Sequence, residues 1–121
     1  MVNEDKFANE MLTDDELDGV SGGGTIEIIR DGYQMYLRGI LSYDQVTNAD
    51  LITKTLHGMG YTGYKQTGVL EDNIYRDKNG NQLRGPAFWK KFGEETGATI
   101  IKEREATLTQ GELSIAYLTA W

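Results

Sequence analysis

The sequence contains no cysteine. Disulfides, thiolate metal sites, cysteine nucleophiles and thioether rings made from a cysteine and a dehydrated Ser or Thr are therefore excluded. There is one histidine, His57, so a zinc site would have to be assembled almost wholly from carboxylates, against the N and S preference of that metal. No stretch reaches the roughly 18 apolar residues of a membrane-spanning helix, and no transmembrane segment is expected. A basic segment followed by an apolar core is missing, so the general secretory signal is not read. Clustered Lys and Arg are lacking along the chain and the net charge is −7, which argues against nucleic acid as a partner.

What is present is unevenly distributed. The chain has 121 residues, enough for one domain with a modest core. Residues 1–23 hold Glu4, Asp5, Glu10, Asp14, Asp15, Glu16 and Asp18 against the single Lys6. The other twelve acids are nearly balanced by eleven bases in residues 24–121. Such a split reads as an acidic tail on a near-neutral domain. Within the tail, Phe7, Met11, Leu12, Leu17 and Val20 make only a thin apolar stripe, and an isolated helix of that kind is marginal in water. Thr13 with Glu16 fits a capping box. Glycines 19 and 22–24 are expected to end the helical turn and to form a flexible boundary. The tail is expected to be mobile alone and to order on a partner.

Residues 24–121 are expected to form a single α+β domain of three to four helices with a short antiparallel sheet. Residues 25–43 admit two readings. Ile26, Ile29, Tyr33, Tyr36, Leu37, Ile40 and Leu41 recur at helical spacing, whereas Asp31-Gly32 between "IEIIR" and "YQMYLR" is a hairpin turn signal. The longer stripe favours the helix, against the cost of Gly32 and Gly39. Residues 47–59 read as a clearer helix, capped by Thr47 or Asn48, with Leu51, Ile52, Thr55, Leu56 and Met59 on its buried face. Strands are expected near 61–66, 69–76 and 81–84, the last two joined at Asn79-Gly80. Pro86, the only proline, opens a helix that closes at Gly97. Residues 98–103, "ATIIKE", read as a short strand, and Thr109 caps a final helix.

Catalytic chemistry has little support, and no cofactor or metal is expected. His57 sits at a helix end. Ser42 and Ser114 lack a nucleophile context. Glu94 with Glu95, and Glu103 with Glu105, read as solvated helix-end and strand-edge acids. Asp77 to Asn81, "DKNGN", lacks the glycine and distal glutamate positions of a calcium loop and reads as a hairpin turn. Tyr61, Tyr64, Tyr75, Trp89 and Phe92 read as core packing.

The informative stretch is "LTDDELDGVSGGG", residues 12–24. Counting back from Gly23, Val20 is fourth, Leu17 seventh, Glu16 eighth and Leu12 twelfth. This pattern resembles the double-glycine leader of bacteriocin-type exported precursors, over residues 1–23 only. The resemblance implies that Leu12, Glu16, Leu17 and Val20 are read by the peptidase domain of an ATP-driven (ABC) exporter, which cuts after Gly22-Gly23. Physically, Leu12, Glu16 and Val20 are four apart, so an induced helix presents them together to a groove, and two glycines let extended backbone enter a narrow cleft. Three glycines leave the register open, and the apolar spacing selects a cut after Gly23. Asn9 stands where the family often has a further large apolar residue. The resemblance further implies a bacterial source, a cytoplasmic precursor and secretion after leader removal, with a target protein or cell surface that the sequence does not name. Unlike short cationic members of that family, residues 24–121 are near neutral and lack a basic amphipathic face for lipid. The competing reading is an intracellular binding or regulatory module whose acidic N-terminus docks on its own domain or on a basic partner.

Overall fold

A computed structural model describes residues 23–67 and 73–117. Among them are helix α1 (Gly23–Leu37), a 3-10 turn (Tyr43–Gln45), α2 (Ala49–Gly58), strands β1 (Tyr75–Arg76) and β2 (Gln82–Leu83), α3 (Gly85–Thr96), α4 (Lys102–Glu105) and α5 (Gln110–Ala116). The fold is α+β, as the sequence predicts.

Helix α1 settles the ambiguity of residues 25–43 in favour of the helix, which ends at Leu37, short of the expected length. Every residue from Ile29 to Leu37 is buried. The helix therefore runs through the domain and faces two cores. On one side Met35 joins Leu41, Ile52, Leu56, Tyr61, Tyr64, Tyr75, Phe88, Trp89 and Phe92. On the other, Ile29, Tyr33, Tyr36 and Leu37 pack with Val46, Leu108 and Ala116. The five aromatic residues predicted as core are all in the first cluster, where edge, tilted and stacked ring pairs centre on Phe88. Such pairs add directional energy to the large area that each ring removes from water.

Gly32 is no turn residue. A Cβ built there would lie 1.8 Å from the Val46 carbonyl oxygen. The missing side chain lets the chain after the 3-10 turn cross directly over α1.

The second helix begins as predicted: the Asn48 side chain accepts from the Leu51 amide at 3.0 Å, and Ile52 and Leu56 are its buried residues. Helix α3 runs from Gly85, with Pro86 in its first turn, to the left-handed Gly97. The sheet has two short strands, paired Tyr75 to Leu83 and Arg76 to Gln82, with an isolated bridge from Lys65 to Ile74. Their connection is longer than a two-residue Asn-Gly turn. Within this connection only Gly80 has positive φ (+86°), the Gly80 amide bonds the Asp77 carbonyl at 3.0 Å, and the Asp77 amide bonds the Asn81 carbonyl at 2.9 Å. This is a turn through Lys78 and Asn79 followed by a glycine bulge.

The strand expected over residues 98–103 is absent. The Ile101 amide bonds the Leu37 carbonyl at 2.8 Å, capping the end of α1, and Lys102–Glu105 turn helical. A β-rich hexapeptide with no strand beside it has no ladder to join. The final helix is built as its sequence predicts: Thr109 and Glu112 form a reciprocal capping box, at 3.0 Å and 2.8 Å. Thr109→Ala should lower stability by about 1 kcal/mol, read as a shift in denaturant midpoint at unchanged slope.

Candidate functional site

Leu12, Glu16, Leu17, Val20 and Gly22 lie outside the described residues. Gly23 is the first residue of α1. The glycine run therefore does not continue as a linker through Gly24; its last two residues open a helix. The first amides of a helix have no intrahelical acceptor, so this turn is the least costly part of α1 to open. From Glu27 to Leu37 every residue of α1 but Ile28 is buried.

The most elaborate chemistry among the described residues is a buried tyrosine–carboxylate network. Glu27 and Asp31 are one turn apart on α1, and both are buried. Asp31 is fully enclosed and is the acceptor for the Tyr64 hydroxyl (2.7 Å), the Tyr75 hydroxyl (2.9 Å), the Trp89 Nε1 (3.1 Å) and the Asn73 amide nitrogen (3.0 Å). The Asn73 backbone amide donates to Glu27. One α1 carboxylate thus ties together the segment after α2, strand β1 and helix α3. On the opposite side, Glu112 of α5 receives the hydroxyls of Tyr33 and Tyr43, and Gln34 donates to the Ala116 carbonyl at 2.8 Å.

All seven tyrosines of the chain follow this logic. Six direct their hydroxyls to carboxylates: Tyr33 and Tyr43 to Glu112, Tyr64 and Tyr75 to Asp31, Tyr61 to Glu95, and Tyr117 to Glu105. Tyr36 pairs with the Thr107 hydroxyl. A buried phenol brings a polar tip that needs a partner, and an ionised carboxylate accepts at two oxygens.

Burial pushes the Asp31 carboxyl up to about 7, and the bonds from Tyr64, Trp89, Tyr75 and Asn73 oppose that rise. Burial and the neighbouring Asp31 charge raise both Tyr64 and Tyr75 above the ordinary phenol range. A carboxyl near 7 suits proton transfer, but a substrate must touch it, and Asp31 is 0% exposed. The arrangement holds elements together. Asp77 has a different environment: the Lys91 ammonium at 2.8 Å, then the Asn81 and Asn79 amides, hold its carboxyl well below the usual carboxylate range. Its oxygens organise the hairpin turn, as the sequence predicts.

The remaining sequence candidates stay apart. His57 is exposed at the end of α2 and its Nε2 lies 2.8 Å from the Tyr64 carbonyl. Ser114 bonds the Gln110 carbonyl within α5, and Ser42 bonds Asp44. Glu95 and Glu105 each take a tyrosine. Among the described residues no three metal-ligating side chains converge.

Asp31, Glu27 and Glu112 were not legible as a network. Asp31 counts as a turn residue beside Gly32 when read locally, and its partners lie 33 to 58 positions away. The available signal was the tyrosine content, since buried hydroxyls require acceptors. No family model, no curated protein and no solved structure matches the chain.

Proposed function

We propose that the chain is the precursor of an exported, bacteriocin-like or signalling polypeptide. Residues 1–23 act as a double-glycine leader, and residues 24–121 are a folded cargo released by the peptidase domain of an ABC exporter. The observation that carries this reading is the spacing of Leu12, Glu16, Leu17 and Val20 ahead of Gly22-Gly23. Support comes from the place of the cut. It falls at the first residue of the first described helix, so every other residue of the described domain stays in one product.

The cargo acts as a folded domain. Its longest described helix is enclosed on both sides, and no described helix is long and apolar enough to cross a membrane. Action by insertion of an amphipathic helix would require α1 to leave both cores. Recognition of a target protein or cell surface by the folded domain fits these features better, without a catalytic step.

The reading is tested at Gly23. With a double-glycine peptidase domain, Gly23→Leu should abolish cutting, because the bulky side chain cannot enter the cleft. Replacing Leu12, Leu17 and Val20 together by serine should slow cutting by at least about tenfold, the equivalent of roughly 1.4 kcal/mol of recognition. Equal cutting of all three chains would overturn it.

A further inference from the structure

We propose that Asn79-Gly80 is a site of spontaneous deamidation, and that the isoaspartate formed there loosens the β1–β2 hairpin. The chemistry needs an accessible asparagine amide and a following backbone nitrogen that can close on it. Glycine is the residue that allows so close an approach of backbone. Asn79-Gly80 is the only Asn-Gly pair in the chain. Both residues are exposed at the tip of the turn. A Cβ built on Gly80 would meet nothing within 4 Å, so no neighbour crowds this bond.

The other asparagines are held or hindered. Asn48 caps α2 through its side-chain oxygen at 3.0 Å and precedes Ala49. Asn73 is buried, donates its amide nitrogen to Asp31 at 3.0 Å and precedes the β-branched Ile74. Asn81 donates its amide nitrogen to Asp77 at 3.2 Å and precedes Gln82. Asn3 and Asn9 lie outside the described residues, and each precedes a glutamate. Among the described residues the Asn79 side chain makes no hydrogen bond.

The reaction balances with water alone. A base takes the Gly80 amide proton as that nitrogen bonds to Asn79 Cγ. The Cγ–Nδ2 bond breaks and ammonia leaves, closing a succinimide ring. Water then opens the ring, and nothing is oxidised or reduced. Opening at Cγ gives aspartate. Opening at the former main-chain carbonyl gives isoaspartate, whose backbone runs through Cβ and Cγ and is one methylene longer. The turn opposes ring closure only lightly. The Gly80 amide must first release the Asp77 carbonyl, its partner at 3.0 Å. One exposed backbone hydrogen bond slows the step by about tenfold at most.

The product matters because of where the turn sits. The Asp77 amide bonds the Asn81 carbonyl across it at 2.9 Å, and a longer chain between the two does not fit that closure. Strand β1 begins at Tyr75, whose hydroxyl reaches Asp31 at 2.9 Å. Loosening at the turn therefore leads towards the buried network. The domain carries a chemical age limit set by time and pH, with no enzyme required. This inference goes beyond the export reading and does not depend on it.

The test ages the intact folded chain at mildly alkaline pH and maps its peptides by mass, with electron-transfer fragmentation to tell isoaspartate from aspartate. Residue 79 should convert before any other asparagine, chiefly to isoaspartate, and faster as pH rises. The chain unfolded in urea should convert there no more than about tenfold faster. Asn79→Gln should remove the product, because the longer side chain closes its ring far more slowly. In the aged chain the Asp77 and Gly80 amides should exchange with solvent at least about tenfold faster, the mark of local opening. Asn79→Asp adds the charge without the methylene and should leave those amides nearly unchanged. Another asparagine converting first, a folded rate more than about tenfold below the rate in urea, aspartate without isoaspartate, or aged amides that exchange as before overturns the proposal.

Discussion

Asp31→Ala is expected to abolish cooperative folding, or to leave a domain that melts near room temperature. The substitution removes the acceptor of the Tyr64 and Tyr75 hydroxyls, the Trp89 indole and the Asn73 amide at once. Each buried donor left without a partner costs about 1–3 kcal/mol. Some of this is offset, because the desolvated carboxyl is removed too. A net loss of about 4 kcal/mol remains, against a total of roughly 5–15 for a domain. Denaturant unfolding followed at Trp89 reads it, and near-ultraviolet circular dichroism separates a loosened core from an intact one. Asp31→Asn keeps one acceptor oxygen and should cost less. An Asp31→Ala chain with an unchanged midpoint would show that the network contributes nothing.

The same residue sets a pH dependence with a definite sign. Its folded carboxyl titrates at about 7, above the ordinary value of 3.8. Between those values the folded state binds more protons than the unfolded one. The contribution of Asp31 is therefore most favourable below pH 4 and declines as pH rises towards 7, by about 4 kcal/mol at most. The stability difference between the wild type and Asp31→Asn, measured across pH 4–8, isolates it from other acids. The wild type should lose ground to the variant as pH rises. A difference that stays flat or moves the other way would contradict the burial of an ionising Asp31.

The second large effect is Gly32→Ala. In most helices this change helps by roughly 1 kcal/mol, because alanine has less unfolded-state entropy to lose. Here the new methyl would lie 1.8 Å from the Val46 oxygen and 2.6 Å from its carbonyl carbon. Both obstacles are backbone, and neither can rotate away. Either α1 shifts or the segment around Val46 lifts off Tyr33 and Leu37, at about 3 kcal/mol or more. Gly58→Ala is the matched control. It lies at the end of α2 with nothing within 4 Å of the added carbon, and should stabilise by up to about 1 kcal/mol. Opposite signs for two glycine-to-alanine changes in helices are the expected result. Equal signs would mean that the crossing at Val46 is looser than described.

These positions show where the sequence could and could not be read. Helix α2, helix α3 and the Thr109 cap were legible because their signals are local: a capping side chain, a proline in the first turn, a glycine at the end. Helix α1 was ambiguous because its two distinctive residues, Asp31 and Gly32, are a turn pair by local chemistry. Their reasons for being there come from Tyr64, Tyr75, Trp89 and Val46, none of them near in sequence. The segment 98–101 misled for the same reason: its β-branched residues cap α1 and pack at its end, with no strand beside them. The proposed leader is the opposite case: it rests on spacing alone, and its positions lie outside the described residues except Gly23.

The most direct measurement treats the intact chain with a double-glycine peptidase domain, then records the product mass and the amide spectrum. The account predicts one cut, after Gly23, and a product starting at Gly24. The amides of residues 27–67 and 73–117 should keep their positions. An uncut chain, a cut at another bond, or a product whose spectrum collapses would contradict it.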